Sequence, residues 1–347
     1  MQRTHATDVL LVSLGSTGGL RRADDELQDS LRRAGARVAI ARPHPEEPLP
    51  TLMLTDLLWA RAARESTAKI LEQQKLAPAR SIIYSTTTAA LLWKQPGAIR
   101  FDATAAGNRR GRHGLWQRPL ERRRLRQAPL LLPWSQGAIE EAPALVGRDR
   151  TLVLPVPVDP SGRSAAVRDV AAITYAANPS KKGVDRVLAA WRRLRGERPA
   201  SEDELLIGGA SVEQLERAGL VSGAEPGVRV LGSLAPEEFR AQLRRARVFV
   251  CAPRREDYGI VQLEALADGC QLVTTEAPGP YAALPIARAL DPRLVGADLV
   301  GALRTALDDP LPDYAQRAHL ALAPFRREAV DRIVAEELLP RLLKQPL

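Results

Sequence analysis

The stretch of sequence that decides the fold reads Val248-Phe-Val-Cys-Ala-Pro-Arg-Arg-Glu-Asp-Tyr-Gly-Ile-Val-Gln-Leu-Glu-Ala-Leu-Ala-Asp-Gly269. It begins with an apolar run of the kind that forms a buried strand. A charged loop follows, and Gly259 then opens an apolar segment with helical spacing. A strand, a loop and a helix in direct succession are the repeating unit of a parallel sheet covered by helices.

Two carboxylates flank the start of this helix. Glu256 lies in the loop and Glu264 about one turn inside the helix, with seven residues between them. The N-terminus of a helix attracts phosphate through its free N–H groups and its dipole, and Gly259 lets a diphosphate approach the backbone. A carboxylate at 264 can accept hydrogen bonds from a ribose diol, and one at 256 from sugar hydroxyls. The alternative is two solvated glutamates beside a helix cap.

The same alternation of strands and helices extends along the chain in both directions. Residues 155–160 contain three prolines, which lack the N–H group and restrict the preceding residue, so they can continue neither element. We therefore predict two α/β domains with doubly wound parallel sheets, joined by this link. Their predicted bounds are residues 1–158 and 159–322, and the last helix occupies residues 323–347.

The paired glutamates carry a resemblance to a known family. Glu256-Asp-Tyr-Gly259 and Glu264-Ala-Leu-Ala-Asp-Gly269 resemble the motif of the retaining, metal-independent GT-B glycosyltransferases of family 4, the group 1 class. The resemblance implies a GT-B fold, with two Rossmann-like domains facing across a cleft. It also implies that the first domain binds the acceptor and the second the nucleotide sugar, and that the last helix crosses back to the first domain.

The resemblance also implies roles for individual residues. Glu264 is expected on the ribose of the donor and Glu256 on its sugar. Lys182, in Ser180-Lys-Lys-Gly183, matches a family lysine that contacts the diphosphate at a helix N-terminus. The remaining residues expected to contact the donor lie in or beside the matching segments: Tyr258, Gly259, Ile260, Val261, Lys181, Leu231, Gly18 and Gly19.

At two positions the chain departs from the family pattern. The family usually has an arginine about six residues before the lysine, where this chain has Ala176, Ala177 and Asn178. Lys181 or an arginine of the motif loop, Arg254 or Arg255, would then have to compensate. Many members also have a histidine after the strand that corresponds to residues 98–101. Asp102 is the nearest polar residue here, and it is expected either to contact a sugar hydroxyl or to pair with a neighbouring arginine.

The charge of the chain is uneven. The net charge is +9, and residues 1–160 account for +8 of it. Nine arginines lie between residues 100 and 126, a density that suits either a solvated helix face or phosphate groups, including those of a membrane surface. Aromatic residues make up only 4% of the chain, which argues against a single-strand nucleic-acid reader, because such proteins stack bases on aromatic rings.

Composition excludes several other classes. No apolar run approaches the roughly 20 residues of a membrane-spanning helix, and no signal peptide is evident. We therefore expect a cytoplasmic protein, either free or peripheral at the inner face of the membrane. Two cysteines cannot make a disulfide framework, and neither a Cys/His spacing nor an Asp-x-Asp pair indicates a metal site.

The predicted function is metal-independent transfer of a sugar, with retention, from a UDP- or GDP-sugar. No cofactor is expected, and the acceptor is a polysaccharide, a lipid-linked sugar or a small molecule. The main alternative is a catalytically silent GT-B scaffold that binds a partner through its arginine-rich patch. A nucleotide-sugar epimerase shares the fold class but needs acid and base carboxylates in the first domain, and the sequence does not identify them.

Overall fold

The computed structural model describes residues 7–43, 49, 51–73, 79–109, 111–142, 148–163, 167–223 and 225–344. The chain divides into two compact units, one made of Met1–Pro157 with Phe325–Leu347 and the other of Val158–Pro324. In the described residues each unit has a five-stranded sheet in which all the pairs are parallel. Helices separate the strands along the chain. The predicted α/β fold class is confirmed.

The first unit alternates strands and helices in the order expected of a doubly wound sheet, and its strands lie in the order β2-β1-β3-β4-β5. A short 3-10 turn at Gly111–Gly114 precedes α5. The elements are β1 (Val9–Val12), α1 (Gly18–Arg33), β2 (Val38–Ala41), α2 (Leu52–Gln73), β3 (Ser81–Tyr84), α3 (Thr87–Ala90), β4 (Ala98–Phe101), α4 (Ala105–Asn108), α5 (Gln117–Gln127), β5 (Leu131–Pro133) and α6 (Gln136–Glu140).

The second unit repeats the pattern with the strand order β10-β9-β6-β7-β8. Because β6 and β9 are parallel neighbours, the loops that leave their carboxyl ends meet at one edge of the sheet. The elements are β6 (Val170–Tyr175), α7 (Pro179–Lys182), α8 (Val184–Gly196), β7 (Leu205–Gly208), α9 (Val212–Arg217), β8 (Val228–Gly232), α10 (Pro236–Arg245), β9 (Ala246–Cys251), α11 (Ile260–Ala267), β10 (Gln271–Thr274), α12 (Ala283–Leu290), α13 (Leu299–Asp308) and α14 (Tyr314–Ala321).

The end of the chain packs on the first unit. Helix α15 (Arg327–Ile333) continues through a π-helical turn into α16 (Leu339–Lys344). Val334 and Leu338 of that turn are fully buried in one cluster with Val9 and Leu11 of β1. The other residues of β1, Leu10 and Val12, belong to the cluster on the opposite face of the sheet. Every residue of this strand is therefore covered, as expected of a parallel sheet with helices on both faces.

Three elements of the structure differ from those that the sequence pattern predicts. The sequence pattern over residues 115–126 predicts a helix, but α5 starts only at Gln117, three residues after the end of the 3-10 turn. The apolar run 152–154 predicts a strand. The N–H groups of Leu152 and Leu154 donate to the carbonyls of Leu131 and Pro133 in β5, but the pairing amounts to an isolated bridge, between Thr151 and Leu131, and not to a sixth strand. The long final helix is interrupted by a π-helical turn. No helix in the described ranges is both long and apolar enough to cross a membrane.

Candidate active site

The site in the second unit is organised by the N-terminus of α11. Gly259 is its N-cap and has φ +90°, a backbone conformation that glycine adopts far more readily than other residues. A Cβ atom there would lie 2.9 Å from the ring of Tyr281. This tight packing fixes the start of the helix, whose first N–H groups have no partner within the helix. Ile260 and Val261, in its first turn, are half-buried.

Glu256 accepts two hydrogen bonds on one carboxylate oxygen. The Nζ of Lys182 lies 2.6 Å from its Oε2, and the Nε2 of Gln262 donates to the same atom at 3.0 Å. Glu256 is only 5% exposed. No hydrogen bond from a described residue reaches its Oε1. The structure thus brings together two of the residues that the sequence analysis assigns to the donor site, Lys182 and Glu256.

A close approach of two backbones brings Lys182 to Glu256. Gly183 has φ +65°, and a Cβ atom there would lie 1.8 Å from the carbonyl oxygen of Ala252. Only glycine fits between the start of α8 and the end of β9 without displacing one of them. Lys182 itself is the last residue of α7 and precedes α8. It therefore lies just before the helix N-terminus and not inside its first turn.

A second cluster surrounds Asp257. Lys181 lies 2.8 Å from one of its oxygens and Arg255 lies 2.7 Å from the other. Burial by itself raises the pKa of this carboxyl, but Lys181 and Arg255 outweigh it and hold the pKa below its usual value. Arg254, the other arginine of the loop, pairs with Asp185 instead and donates to the carbonyl of Ser180.

Glu264 belongs to a buried ion-pair network that the sequence does not reveal. Arg240, on α10, lies 3.4 Å from Glu264 and 2.5 Å from Asp268. Burial lowers the pKa of Arg240, but the two carboxylates have the larger combined effect and raise it. Ser161 donates to Asp268 from both its backbone N–H and its hydroxyl. The network ties α10 and α11 to the segment that enters the second unit.

The remaining predicted contact residues lie around this edge of the sheet. Tyr258 is buried, and its carbonyl accepts a hydrogen bond from the N–H of Ala282. Leu231 is half-buried near the end of β8. Tyr175, at the end of β6, packs edge-on against Phe239. Burial and the nearby charge of Glu264 raise the pKa of Tyr175.

The position of the missing arginine is occupied by small residues. Ala176 is fully buried, and its N–H donates to the carbonyl of Gly208. Asn178 accepts a hydrogen bond from the N–H of Lys181 and so caps α7. Neither contact resembles a phosphate clamp. The cations nearest in sequence are those of the Glu256 and Asp257 clusters.

Beneath Glu256 lies a layer of buried polar groups. The Thr274 and Tyr281 hydroxyls are 2.9 Å apart, and the thiol of Cys251 donates to Thr274 at 3.3 Å. Burial raises the pKa of both Cys251 and Tyr281, which keeps them neutral. In the described residues no three His, Cys, Asp or Glu side chains are grouped to hold a metal ion.

The other predicted site residues belong to the first unit. Gly18 and Gly19 are the first two residues of α1, which Thr17 caps by accepting a hydrogen bond from the N–H of Leu20. Asp102 directly follows β4, is half-buried and accepts a hydrogen bond from the N–H of Ala103 at 2.8 Å. Each therefore lies at the carboxyl end of a strand, the edge where ligands bind in parallel α/β sheets.

The arginine-rich stretch does not form one continuous patch. Arg100 is 1% exposed, pairs with Asp24 and lies over the ring of Trp134. Arg109 binds the buried Asp56 at 2.7 Å. The expectation of a nine-arginine surface is therefore too broad. The solvent-facing part is the outer side of α5 and its preceding turn, where a depression of about 450 Å³ is lined by Leu115, Arg118, Pro119, Arg122, Arg123 and Arg126.

The first unit also contains a buried acid that the sequence analysis did not find. Glu121, on the inner side of α5, accepts the N–H of Ala105 with both carboxylate oxygens, at 3.0 and 2.8 Å. Burial raises its pKa to about 7. A single glutamate among arginines, as at position 121, gives no sequence signal for this role, because its burial depends on how α5 packs.

Comparison with known proteins gives one family match and several structures of similar fold. Residues 170–285 match the family model described as Glycosyl transferases group 1. No curated protein sequence matches the chain. Among solved structures, sucrose-phosphate synthase from Thermosynechococcus elongatus is similar over 98% of this chain and 100% of its own, with a TM-score of 0.71 and 15% identity.

Two further structures show the same architecture. A glycosyltransferase involved in lipopolysaccharide biosynthesis has a TM-score of 0.68 at 17% identity, covering 94% of this chain and 99% of its own. A trehalose-6-phosphate protein from E. coli, bound with UDP-2-fluoro glucose, has a TM-score of 0.67 at 12% identity, covering 96% and 99%. The GT-B fold predicted from the sequence is confirmed. The family match supports a transferase enzyme that acts in glycosyl transfer.

Proposed function

We propose that the chain transfers a sugar from a nucleoside-diphosphate sugar, UDP- or GDP-linked, to a hydroxyl of an acceptor, with retention and without a metal ion. The observation that carries the proposal is the grouping of Glu256, Lys182 and Glu264 around the N-terminus of α11. An ammonium group, a helix N-terminus and two carboxylates are the groups required to hold a diphosphate between two sets of hydroxyls.

Each part of the donor has a partner in this site. The Oε1 of Glu256 is available to a hydroxyl of the sugar, because the contacts from Lys182 and Gln262 are both made to Oε2. Glu264 accepts hydrogen bonds from the ribose diol, while the guanidinium of Arg240 balances the negative charge of its carboxylate. Leu231, Tyr258 and the first turn of α11 complete the donor surface in this proposal.

The diphosphate is held by Lys182 together with the N–H groups of Ile260 and Val261. Lys181 and Arg255 supply the positive charge that the arginine would provide in the family. They flank one carboxylate, Asp257, so the cluster keeps a net charge of +1 when all three are ionised. We give Arg254 no part in this role, since its guanidinium binds Asp185 and the carbonyl of Ser180.

The reaction then needs no dedicated base. The bond between the anomeric carbon and the phosphate oxygen breaks, and the acceptor oxygen bonds to that carbon from the same face. The acceptor proton passes to the departing phosphate oxygen. Lys182 and the N–H groups of α11 stabilise the charge that develops on the leaving diphosphate. We assign the acceptor to the first unit, with Gly18, Gly19 and Asp102 lining its side.

The direct test is product analysis. The chain is incubated with UDP-glucose, UDP-N-acetylglucosamine and GDP-mannose plus a panel of sugar and lipid-linked acceptors. Release of nucleoside diphosphate and the anomeric configuration of the product are then read by NMR. We expect an axial donor to give an axial product and Lys182→Ala to lose at least about a hundredfold in turnover. An inverted product would contradict retention. Full activity after addition of a chelator is expected, and its loss would contradict metal independence.

A second proposal concerns where the enzyme works. Leu115 is 66% exposed beside the arginine-lined depression on α5, and an exposed apolar residue among cations suits a surface of anionic lipid. We propose that this face makes peripheral contact with the inner side of the membrane, which would present a lipid-linked acceptor. Sedimentation with vesicles of anionic lipid, against neutral vesicles, tests it. Arg122→Ala with Arg123→Ala should abolish the difference, and equal binding to both vesicles would contradict it.

The same vesicles and the donor assay separate the enzyme from the silent scaffold. A scaffold would retain the arginine-dependent contact and show no turnover with any donor. An epimerase would convert the nucleotide sugar without an acceptor and without transfer.

A further inference from the structure

Gln262 is a buried amide inside the glutamate motif, and the function proposed above gives it no part. It is the third residue of α11 and is 2% exposed. Its Nε2 donates to the Oε2 of Glu256 at 3.0 Å and to the sulfur of Cys251 at 3.8 Å. Its Oε1 is buried and, among the described residues, has no hydrogen-bond partner.

The direction of this amide is set by charge. If the group were turned over, its carbonyl oxygen would face the carboxylate oxygen of Glu256, and the two acceptors would repel. The N–H end therefore belongs on Glu256. The carbonyl end then points toward Gly259, since a Cβ atom on that glycine would lie 3.4 Å from Gln262 Oε1.

An unpaired buried carbonyl destabilises the fold, and an apolar side chain of the same size would avoid that cost. The neighbouring helix residues Leu263 and Leu266 show that the same helix buries leucine readily. An amide at 262 is therefore a poor choice for packing. What distinguishes it from leucine or methionine is the hydrogen bond to Glu256.

Two hydrogen-bond donors from different elements, Lys182 and Gln262, both contact Glu256. The side chain of Lys182 is long and flexible and is 21% exposed, whereas Gln262 lies within a helix and is buried. The lysine supplies charge, but a point charge sets the carboxylate orientation poorly. The amide supplies a fixed direction. With both contacts on Oε2, the second oxygen is directed away from them.

We propose that Gln262 is a positioning residue that fixes the carboxylate of Glu256 so that its Oε1 faces the sugar of the donor. This inference rests on the proposed role of Glu256. Gln262 acts through that glutamate and does not itself touch the substrate. The unsatisfied carbonyl is the consequence of placing an N–H donor at this point.

The chain offers a matched control. Gln271, the first residue of β10, is also a buried glutamine, 8% exposed, with an unpaired Oε1. Its Nε2 donates to the carbonyl of Ala306 and not to a residue of the site. Gln271→Met therefore makes the same chemical change in a similar environment.

The first experiment is done without a nucleotide sugar. Thermal unfolding is measured for Gln262→Met, Glu256→Ala and the double variant. We expect Gln262→Met to unfold close to the wild-type temperature, because it removes the unpaired carbonyl along with the hydrogen bond. The shifts of the two single variants should not add in the double variant. Additive shifts would overturn the contact on which the proposal rests.

The second experiment uses the nucleotide sugar that the wild type accepts, with release of nucleoside diphosphate as the readout. Gln262→Met should lower kcat about tenfold to a hundredfold, while the affinity for the free nucleoside diphosphate stays unchanged. Gln262→Glu keeps the shape of the side chain but replaces the amide N–H group that donates to Glu256. Its kcat should fall at least as far. Gln271→Met should match the wild type.

The outcomes separate the two proposals. Activity of Gln262→Met or Gln262→Glu within twofold of the wild type would overturn the positioning role, and so would an equal loss in Gln271→Met. If the wild type neither binds nor turns over any nucleotide sugar, the proposed function fails. In that case the unfolding cycle still decides whether Gln262 holds Glu256.

Discussion

The ammonium group of Lys182 lies 2.6 Å from Oε2 of Glu256, although 74 positions separate the two residues in the chain. The contact arises because β6 and β9 are adjacent parallel strands, so the segments that follow them leave the sheet side by side. It joins the lysine that the motif comparison associates with the diphosphate to the glutamate that it associates with the sugar. Sequence position alone does not show that these groups touch.

Gly183 should be irreplaceable for this contact. Gly183→Ala places a Cβ atom against the carbonyl of Ala252 at a positive φ, so the backbone must move and Lys182 with it. We expect a loss in the free energy of unfolding of more than about 2 kcal/mol and a loss of donor binding. Gly35→Ala is the control, because Gly35 also has a positive φ but nothing lies within 4 Å of the added atom. Chemical unfolding measures both. Equal losses in the two variants would show that the close approach to Ala252 is unimportant.

Arg240 should contribute far more to stability than Arg245, the last residue of α10. Arg240→Met leaves the buried carboxylates Glu264 and Asp268 without their cation, which typically costs about 3–5 kcal/mol. Arg245→Met breaks an exposed pair with Asp169, and such pairs contribute little. Urea denaturation of the two variants provides the comparison. A small effect at Arg240 would mean that the network is open to solvent.

Stability should depend on pH through Glu121. Its pKa is raised from 4.5 to about 7, so between these values the folded chain holds a proton that the unfolded chain releases. Stability therefore falls as pH rises through this window, and the full cost is present above pH 7. Glu121→Gln removes the cost, and its advantage over the wild type should grow by up to about 3 kcal/mol between pH 5 and pH 8. Urea titrations at both pH values test this. Glu140→Gln, an exposed change on α6, is the control, and a pH-independent difference for Glu121→Gln would contradict the assignment.

Both cysteines should be unreactive in the folded protein. Cys251 and Cys270 are buried, and burial raises the pKa of Cys270 to about 12. The thiolate is the reactive form, so a thiol-specific chromogenic reagent should modify neither residue until the chain is unfolded. Reaction of either thiol at the rate seen in denaturant would contradict this prediction, and reaction of Cys251 would show that the layer beneath Glu256 is accessible.

The sequence predicts the α/β class because that class depends on local patterns, and the resemblance of the glutamate motif to a known family implies the GT-B fold. The apolar run 248–251 and the glycine at 259 identify a strand, a turn and a helix wherever they occur. Glu256 and Glu264 stand out because their spacing is fixed along one loop and one helix.

The partners of these residues could not be predicted in the same way. Arg240 meets Glu264 only because α10 packs on α11, and no spacing in the sequence encodes that approach. Gln262 lies in the motif, yet its burial and direction depend on Cys251 and Glu256. Arg100 cannot be told from a surface arginine in the sequence, because composition does not distinguish an exposed arginine from one paired with a buried aspartate.

The central claim is that the second unit binds a nucleoside-diphosphate sugar through Glu256, Lys182 and Glu264. Thermal unfolding of the wild type, of Glu264→Ala and of Glu276→Ala, an exposed glutamate, across UDP-, GDP-, ADP- and TDP-sugars is the most direct measurement. At a hundred times its dissociation constant, a donor should add about 2.7 kcal/mol to stability. We predict that one nucleotide stabilises the wild type and Glu276→Ala but not Glu264→Ala. Stabilisation of none, or of all three proteins alike, would contradict the account.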